Sequence, residues 1–265
     1  MIPEAATIDI LYVAFNRLEM TRESFGALLR NTHWDHVDTL YVVDDASTDG
    51  TSEWLYDQQM LWKSDNGPQA DYGTDFILSD RKLGGPVAAM NWYLDATRDQ
   101  EHPDTFAKID NDFVVCPGWM DIALRLHYLG SNIDIIGFEP MSGRPQMVRK
   151  DNHAEWRLNE ANHIGGKGLI RKRAFERSGC RPHPHGKHGY QGFTQWQRKH
   201  PDVIKAWISP DLCCFGLDQL PFEPWNSLTT SYVQKRWQRR WGPYDSLDTT
   251  YWQWWLDEDE SRMAA

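Results

Sequence analysis

Two short acidic clusters carry the chemistry in this chain: Asp44–Asp45 and Asp110–Asn111–Asp112. Each directly follows an apolar run of strand length, TLYVV at 39–43 and TFAKI at 105–109. A lone acid at such a place serves well enough as a turn residue or helix cap. Two acidic clusters ending two buried strands ask for more, because carboxylates gathered at one sheet edge repel each other unless a cation or donor groups lie between them. Aspartate oxygens suit hard cations such as Mg²⁺ or Mn²⁺, which keep several waters and bridge substrate phosphates. The residue types therefore suggest a metal–nucleotide site.

The elements that must position these acids are legible nearby. TIDILYVAF at 7–15, TLYVVDD at 39–45, DFILS at 75–79 and TFAKID at 105–110 read as strands. Helical spacing separates them: TRESFGALLRNT at 21–32 with Thr21 as N-cap, a helix opening at Thr51 or Ser52, and VAAMNWYLDATRD at 87–99 after Gly84, Gly85 and Pro86. Strict alternation of strand and helix predicts an α/β fold with a mostly parallel sheet. Uninterrupted apolar strands predict helices on both faces. In such a sheet ligands bind at the carboxyl ends of the strands, where the acids lie. The second half is less regular. It offers strands at 133–140 and 203–210, a short strand and helix over 165–179 closed by Gly179, a Pro-, Gly- and His-rich loop at 181–192, and a helix at 193–200. The stretch 141–163 is polar and gives no clear element.

Composition narrows the class. A chain of 265 residues with 40% hydrophobic and 25% charged side chains is globular, which excludes disorder, collagen and coiled coil. It shows no apolar run of membrane-spanning length and no signal-peptide pattern, and its four cysteines form no C-x-x-C pair, so a reduced, cytoplasmic protein is expected. The net charge of -10 hides an asymmetry. Residues 1–140 hold 9 Lys and Arg against 24 Asp and Glu, whereas residues 141–265 hold 19 against 14, so the basic back half could meet an anion such as a diphosphate.

Several segments, in order, resemble glycosyltransferase family 2, whose members have the GT-A nucleotide-diphospho-sugar fold. VVDDASTDGT at 42–51 resembles the family's VVDDGSTDGT, and YVAFNR at 12–17 its first strand and nucleotide loop. RKLGGPVAAMN at 81–91 is similar to N-x-G-x-x-x-A-R-N, and KIDNDFVVCPGWMD at 108–121 to the metal-binding D-x-D segment. GGKGLIRKRAFERSG at 165–179 resembles the acceptor-side strand and helix. The resemblance covers roughly residues 7–211 and implies a GT-A-like, Rossmann-type fold. Residues 1–220 would form the transferase domain (1–120 for the nucleotide-sugar, 121–220 for the acceptor), and 221–265 an aromatic-rich extension packed on it.

The resemblance also implies roles. Phe15, Asn16, Arg17, Asp44 and Asp45 would line the nucleotide pocket, with Asp45 on the base or ribose. Asp110 and Asn111 would lie at the ribose and diphosphate, and Asp112, with Asp110, would hold Mn²⁺ or Mg²⁺. Trp119 would sit near the sugar, and Gly84, Gly165 and Gly166 would let backbone approach the donor. Lys82 stands where the family has Asn and Met90 where it has Arg, so the basic contact falls to Lys82 or Arg81. The family's E-D-x-D-L-x-x-R, anchored on Arg198, puts Gln191 and Gly192 on the Glu-Asp pair that supplies the usual base, and Cys213, Cys214 and Phe215 near its later His. His185, His188, Asp211 or Asp218 could substitute. A retaining reaction needing no protein base, or a weakly active homologue, would also accommodate the change.

The C-terminal part holds Trp225, Trp237, Trp241, Trp252, Trp254 and Trp255, beside Lys235, Arg236, Arg239 and Arg240. Such rings could stack on sugars or bases, or anchor the tail by packing. The reading is a metal-dependent glycosyltransferase moving a sugar from a nucleotide-diphospho-sugar, a UDP-sugar by expectation, to a hydroxyl of a saccharide, protein or modified nucleic-acid base. A noncatalytic carbohydrate- or nucleic-acid-binding homologue is the alternative from another class. A sugar nucleotidyltransferase would want a glycine-rich basic loop after the first strand, and FNRLEMTRES has no glycine there.

Overall fold

A computed structural model describes residues 7–63, 73–98, 102–129, 132–138, 156–184, 191–209, 212 and 214–219. The expected extension at 221–265 and the possible helix at 229–241 lie outside the described residues.

The first half alternates as its apolar runs predict. Strand β1 (Ile8–Ala14) leads through α1 (Leu18–Asn31) to β2 (Val37–Asp44), then α2 (Thr51–Trp62), β3 (Gly73–Leu78), α3 (Pro86–Ala96) and β4 (Thr105–Asp110). After β5 (Phe113–Val114) and α4 (Trp119–Leu129) come β6 (Ile135–Gly137), β7 (Arg157–Ala161), β8 (Gly168–Arg171), α5 (Arg173–Ser178), α6 (Gln191–Lys199), β9 (Lys205–Ser209) and β10 (Phe215–Gly216). The main sheet runs β3-β2-β1-β4-β8-β6-β9-β7. Pairs β3–β2, β2–β1, β1–β4 and β6–β9 are parallel, while β8 runs against both β4 and β6, and β7 against β9.

Strand alternation splits the core into two layers. Ile8, Ile10 and Tyr12 of β1, with Leu40 and Val42 of β2, pack with Phe25 and Leu28 of α1, Leu55 of α2 and Trp119 to Leu126 of α4. Leu11, Val13, Tyr41 and Val43 face the other way, toward Val87 to Leu94 of α3, Phe175 of α5, and Phe193 and Trp196 of α6. Each central strand is thus buried on both faces, which is why its sequence is an unbroken apolar run. Gly137 and Gly168 pair between β6 and β8, and a Cβ on Gly168 would collide with the Ile136 carbonyl.

Several boundaries differ from the sequence reading. Helix α1 begins at Leu18, so Thr21 lies in its first turn, its hydroxyl donating to the Arg17 carbonyl at 3.1 Å. Gly50, at φ 93°, is the N-cap of α2, and the Asp49 carboxylate takes the Thr51 N–H at 3.1 Å. Helix α3 ends at Ala96 and β6 covers only Ile135–Gly137. Strand β7 emerges from the polar stretch because it is an edge strand with no fully buried position. Among the described residues no helix is long and apolar enough to cross a membrane.

Candidate active site

From β1 the chain steps outward to β2 and β3, then returns with β4 to the other side of β1. The crevice at this reversal, above the carboxyl ends of β1 and β4, is where doubly wound sheets bind ligands. Val13 pairs with Asp110 there, and Ala14 with Asp44 on the other side.

The turn out of β1 puts two consecutive non-glycine residues in the left-handed region, Asn16 at φ 52° and Arg17 at φ 65°. That region is costly for most side chains and least so for Asn. Hydrogen bonds to two neighbouring loops hold it. Asn16 donates its N–H to Ser47 Oγ at 2.6 Å and accepts the Thr48 N–H on its Oδ1 at 2.8 Å. Its carbonyl accepts from Asn111 Nδ2 at 2.6 Å, and Asp49 Oδ2 accepts the Leu18 N–H at 3.1 Å. The result aims Arg17 across the crevice, with Nη1 2.7 Å from Asp112 Oδ2 and 3.9 Å from Asp218 Oδ2.

Asp110 and Asp112 therefore sit in a knot of alternating charge. Lys108 lies two residues before Asp110 on β4, hence on the same face, and its Nζ bonds Asp110 Oδ1. Lys167 Nζ lies 3.9 Å from Asp110 and 3.8 Å from Asp112 Oδ1, carried there by the segment leading into β8, the antiparallel neighbour of β4. Burial alone would push the Asp112 carboxyl up; the charges of Lys167, Arg17 and Lys108 outweigh it and hold it below the usual carboxylate range. The Leu217 N–H donates to the Asp112 carbonyl at 2.7 Å, which brings Asp218 to this group from the far end of the described chain.

Three expected donor residues prove to be braces. Both Asp45 oxygens accept backbone N–H bonds from the loop before α3: Oδ1 from Leu83 and from Gly84 at 3.2 Å, Oδ2 from Gly85 at 2.8 Å. Gly84 and Gly85 have φ 117° and 87°, a conformation that needs glycine. Asp44 is fully buried and takes the Ser47 N–H at 3.0 Å and the Ser47 hydroxyl. Asn111 donates both to Asn16 and to Thr21 Oγ1, the latter at 2.8 Å, so its amide knots loops.

Trp119, expected beside the sugar, is a core residue. Gly118, at φ 73°, turns the chain into α4, and the indole is fully buried, edge-on to Phe138 at 5.3 Å, so neither ring face is open to a sugar. Phe15 stays half-buried at the crevice, with Lys82 Nζ 4.4 Å above its ring. Gly166 lies against the acids: a Cβ there would meet Asp110 Oδ2 at 3.7 Å. Gly165 precedes it, half-buried. Of the base candidates, Asp218 belongs to the site, whereas His185, His188 and Asp211 lie outside the described residues. Sequence reasoning missed Lys108 and Lys167. Strand alternation about Asp110 points to Lys108; nothing local points to Lys167, because its place depends on the β4–β8 pairing.

The donor set fits a divalent cation. Asp112 Oδ1 is buried without a hydrogen-bond partner, and the oxygens of Asp110 and Asp112 are hard ligands. Arg17 and Lys167 supply positive charge to the same carboxylates, so a cation there must compete with the guanidinium for Asp112.

A family model described as "Glycosyl transferase family 2" matches residues 9–179. No curated protein matches the chain. Among solved structures, S. aureus TarS in complex with UDP-GlcNAc is similar at 14% identity, over 77% of this chain and 56% of that one, with a TM-score of 0.53. The mannosyltransferase PcManGT from Pyrobaculum calidifontis, in complex with GDP-Man and Mn²⁺, is similar at 13% identity, over 83% of this chain and 59% of that one, with a TM-score of 0.55. This chain therefore spans little more than half the length of either protein. At such identities the likeness is one of fold, the α/β architecture these transferases share.

Proposed function

The chain belongs to glycosyl transferase family 2, and from that membership we propose that it moves a sugar from a nucleotide-diphospho-sugar, a UDP-sugar, to a hydroxyl acceptor with the help of Mn²⁺ or Mg²⁺. The observation that carries the reading is the charged knot at the β1–β4 reversal. There Asp110 and Asp112 lie with Lys108, Lys167 and Arg17 around them, and Asp112 Oδ1 is left without a hydrogen-bond donor. Asp112 and Asp110 would hold the metal, which supplies positive charge to the diphosphate as it leaves.

The other roles belong to the chain's own residues. Phe15 and Lys82 offer an aromatic face and a cation at the nucleotide end of the crevice. Asn16, Asp44, Asp45 and Asn111 act indirectly by fixing the three loops that shape it. Lys167 and Arg17 are placed to meet phosphate oxygens once the carboxylates turn to the metal. Gly165 and Gly166 leave room for the sugar beside Asp110. In the transfer, the bond between the anomeric carbon and the diphosphate oxygen breaks and one to the acceptor oxygen forms. The acceptor proton passes to a base, and Asp218 is the base candidate that the geometry favours, since it shares Arg17 with Asp112.

The test is thermal melting with a panel of nucleotide-sugars, with and without Mn²⁺, in the wild-type chain and in Asp112→Ala. A ligand that binds only the folded state raises Tm. A Mn²⁺-dependent rise with one donor, absent in Asp112→Ala, is expected. No rise with any donor, or a rise unchanged in Asp112→Ala, overturns the assignment. Release of free sugar from that donor then separates the transferase from a protein that only binds.

A further inference from the structure

The opposite end of α1 carries a second group of ligand-type side chains, away from the acids of the crevice. Past Asn31 the chain makes a single 3₁₀ turn, Trp34–His36, before entering β2. That turn has three residues per rotation, so side chains three apart stack above one another. His33 and His36 have this spacing, and their ring centres lie 4.8 Å apart. The first turn of α4 brings Asp121 to them, with Oδ1 2.9 Å from His33 Nδ1. One donor atom from each of His33, His36 and Asp121 lies within 4.8 Å of the other two.

The backbone under this group is fixed from both sides. Trp34, between the two histidines, is buried against Trp62 at 5.2 Å, and its Nε1 donates to the Leu29 carbonyl at 3.1 Å. Asn31 Nδ2 donates to the Val115 carbonyl at 2.8 Å, tying the end of α1 to the segment that leads into α4. The ligands are thus held on anchored elements while their heads stay open to solvent, the arrangement that lets a site form without refolding.

We propose that His33, His36 and Asp121 form a zinc-type site, distinct from the oxygen-only site at Asp110 and Asp112. Two imidazoles and one carboxylate match the ligand preference of Zn²⁺, with water in the fourth position. Ligand bonds of about 2.0–2.1 Å at tetrahedral angles place donor atoms roughly 3.3 Å apart. The 2.9 Å contact therefore has to open by only a few tenths of an ångström, which two half-exposed side chains can do. The ion would clamp the end of α1 to the start of α4.

Isothermal titration of the full chain with Zn²⁺ tests this, using Asp112→Ala as the background so that the crevice acids do not contribute. One site is expected, weakened at least tenfold in His33→Ala, in His36→Ala and in Asp121→Ala. Zn²⁺ is expected to raise Tm in the Asp112→Ala parent and not in these variants. Circular dichroism confirms that the exposed substitutions leave the fold intact. Zinc binding that survives all three substitutions, or no zinc binding in the parent, overturns the proposal. Neither result bears on the transferase reading, whose ligands are different residues.

Discussion

Arg17 Nη1 lies 2.7 Å from Asp112 Oδ2, so the carboxylate best placed to take a divalent cation is already bridged to a guanidinium. The two residues are 95 positions apart in sequence. They meet because Asn16 and Arg17 turn out of β1 in the left-handed region while β4 runs parallel beside that strand. Metal binding at Asp112 then has a built-in competitor. Arg17→Ala should tighten Mn²⁺ binding about fivefold, the equivalent of a pair worth ~1 kcal/mol. Titration followed by Mn²⁺ paramagnetic resonance reads this directly, and unchanged or weaker binding would remove the competition argument.

Lys167 should matter on the donor side. Its ammonium lies 3.9 Å from Asp110 and 3.8 Å from Asp112, within reach of the space between the two acids. Lys167→Met keeps much of the packing and removes the charge. It is expected to weaken nucleotide-diphospho-sugar binding by roughly tenfold or more, the worth of a hydrogen bond to a charged group. Calorimetry with the donor identified in the panel is the measurement. A variant that binds the donor normally would leave Lys167 with a purely structural part.

Asp45 is predicted to be a stability residue. Its carboxylate satisfies three backbone N–H groups of the loop before α3. Asp45→Ala leaves those donors without their acceptor, which should cost about 2–3 kcal/mol. Urea unfolding at neutral pH measures it. An unfolding midpoint equal to wild type would mean that water replaces the carboxylate at no loss.

His127 predicts an acid limb in the stability curve. Its ring is buried beside Thr105 and Arg171; burial, then the charges of Arg171 and Arg173, push its pKa down to about 3. The unfolded state takes up a proton near pH 6.5 and the folded state does not until about pH 3, so the unfolded state binds more protons between these values. Stability from this group is intact above pH 6.5 and falls as pH drops through the window, by up to about 1.4 kcal/mol per pH unit. His127→Gln should flatten the difference between urea midpoints at pH 7 and pH 5. An equal acid loss in both proteins would assign it to other groups.

Legibility from sequence varied with the physics involved. The strands β1, β2 and β4 were readable because both of their faces are covered, which turns each into an apolar run. The acidic ends of β2 and β4 were readable for the same reason, as polar residues that stop such runs. Strand β7 was not, since an edge strand with half-buried alternate positions looks like a polar loop. Helix starts were misplaced where backbone turned the chain: Arg17 in the left-handed region and Gly50 at φ 93° begin α1 and α2 without a side-chain cap of their own.

The sequence by itself determined that acids would stand at the carboxyl edge of a mainly parallel sheet. Hydrophobic periodicity and strand length are local properties, and they decide which residues end a strand. Which of those acids face the crevice was a tertiary decision. Asp44 and Asp45 turned inward to Ser47 and to the loop at 83–85, and Trp119 turned into the core. Asp110 and Asp112 instead gained Lys167 from the segment before β8, Arg17 from the end of β1 and Asp218 from beyond β10. Charge pairing acts through space over a few ångströms, and only the order of strands in the sheet brings positions 17, 112, 167 and 218 within that range.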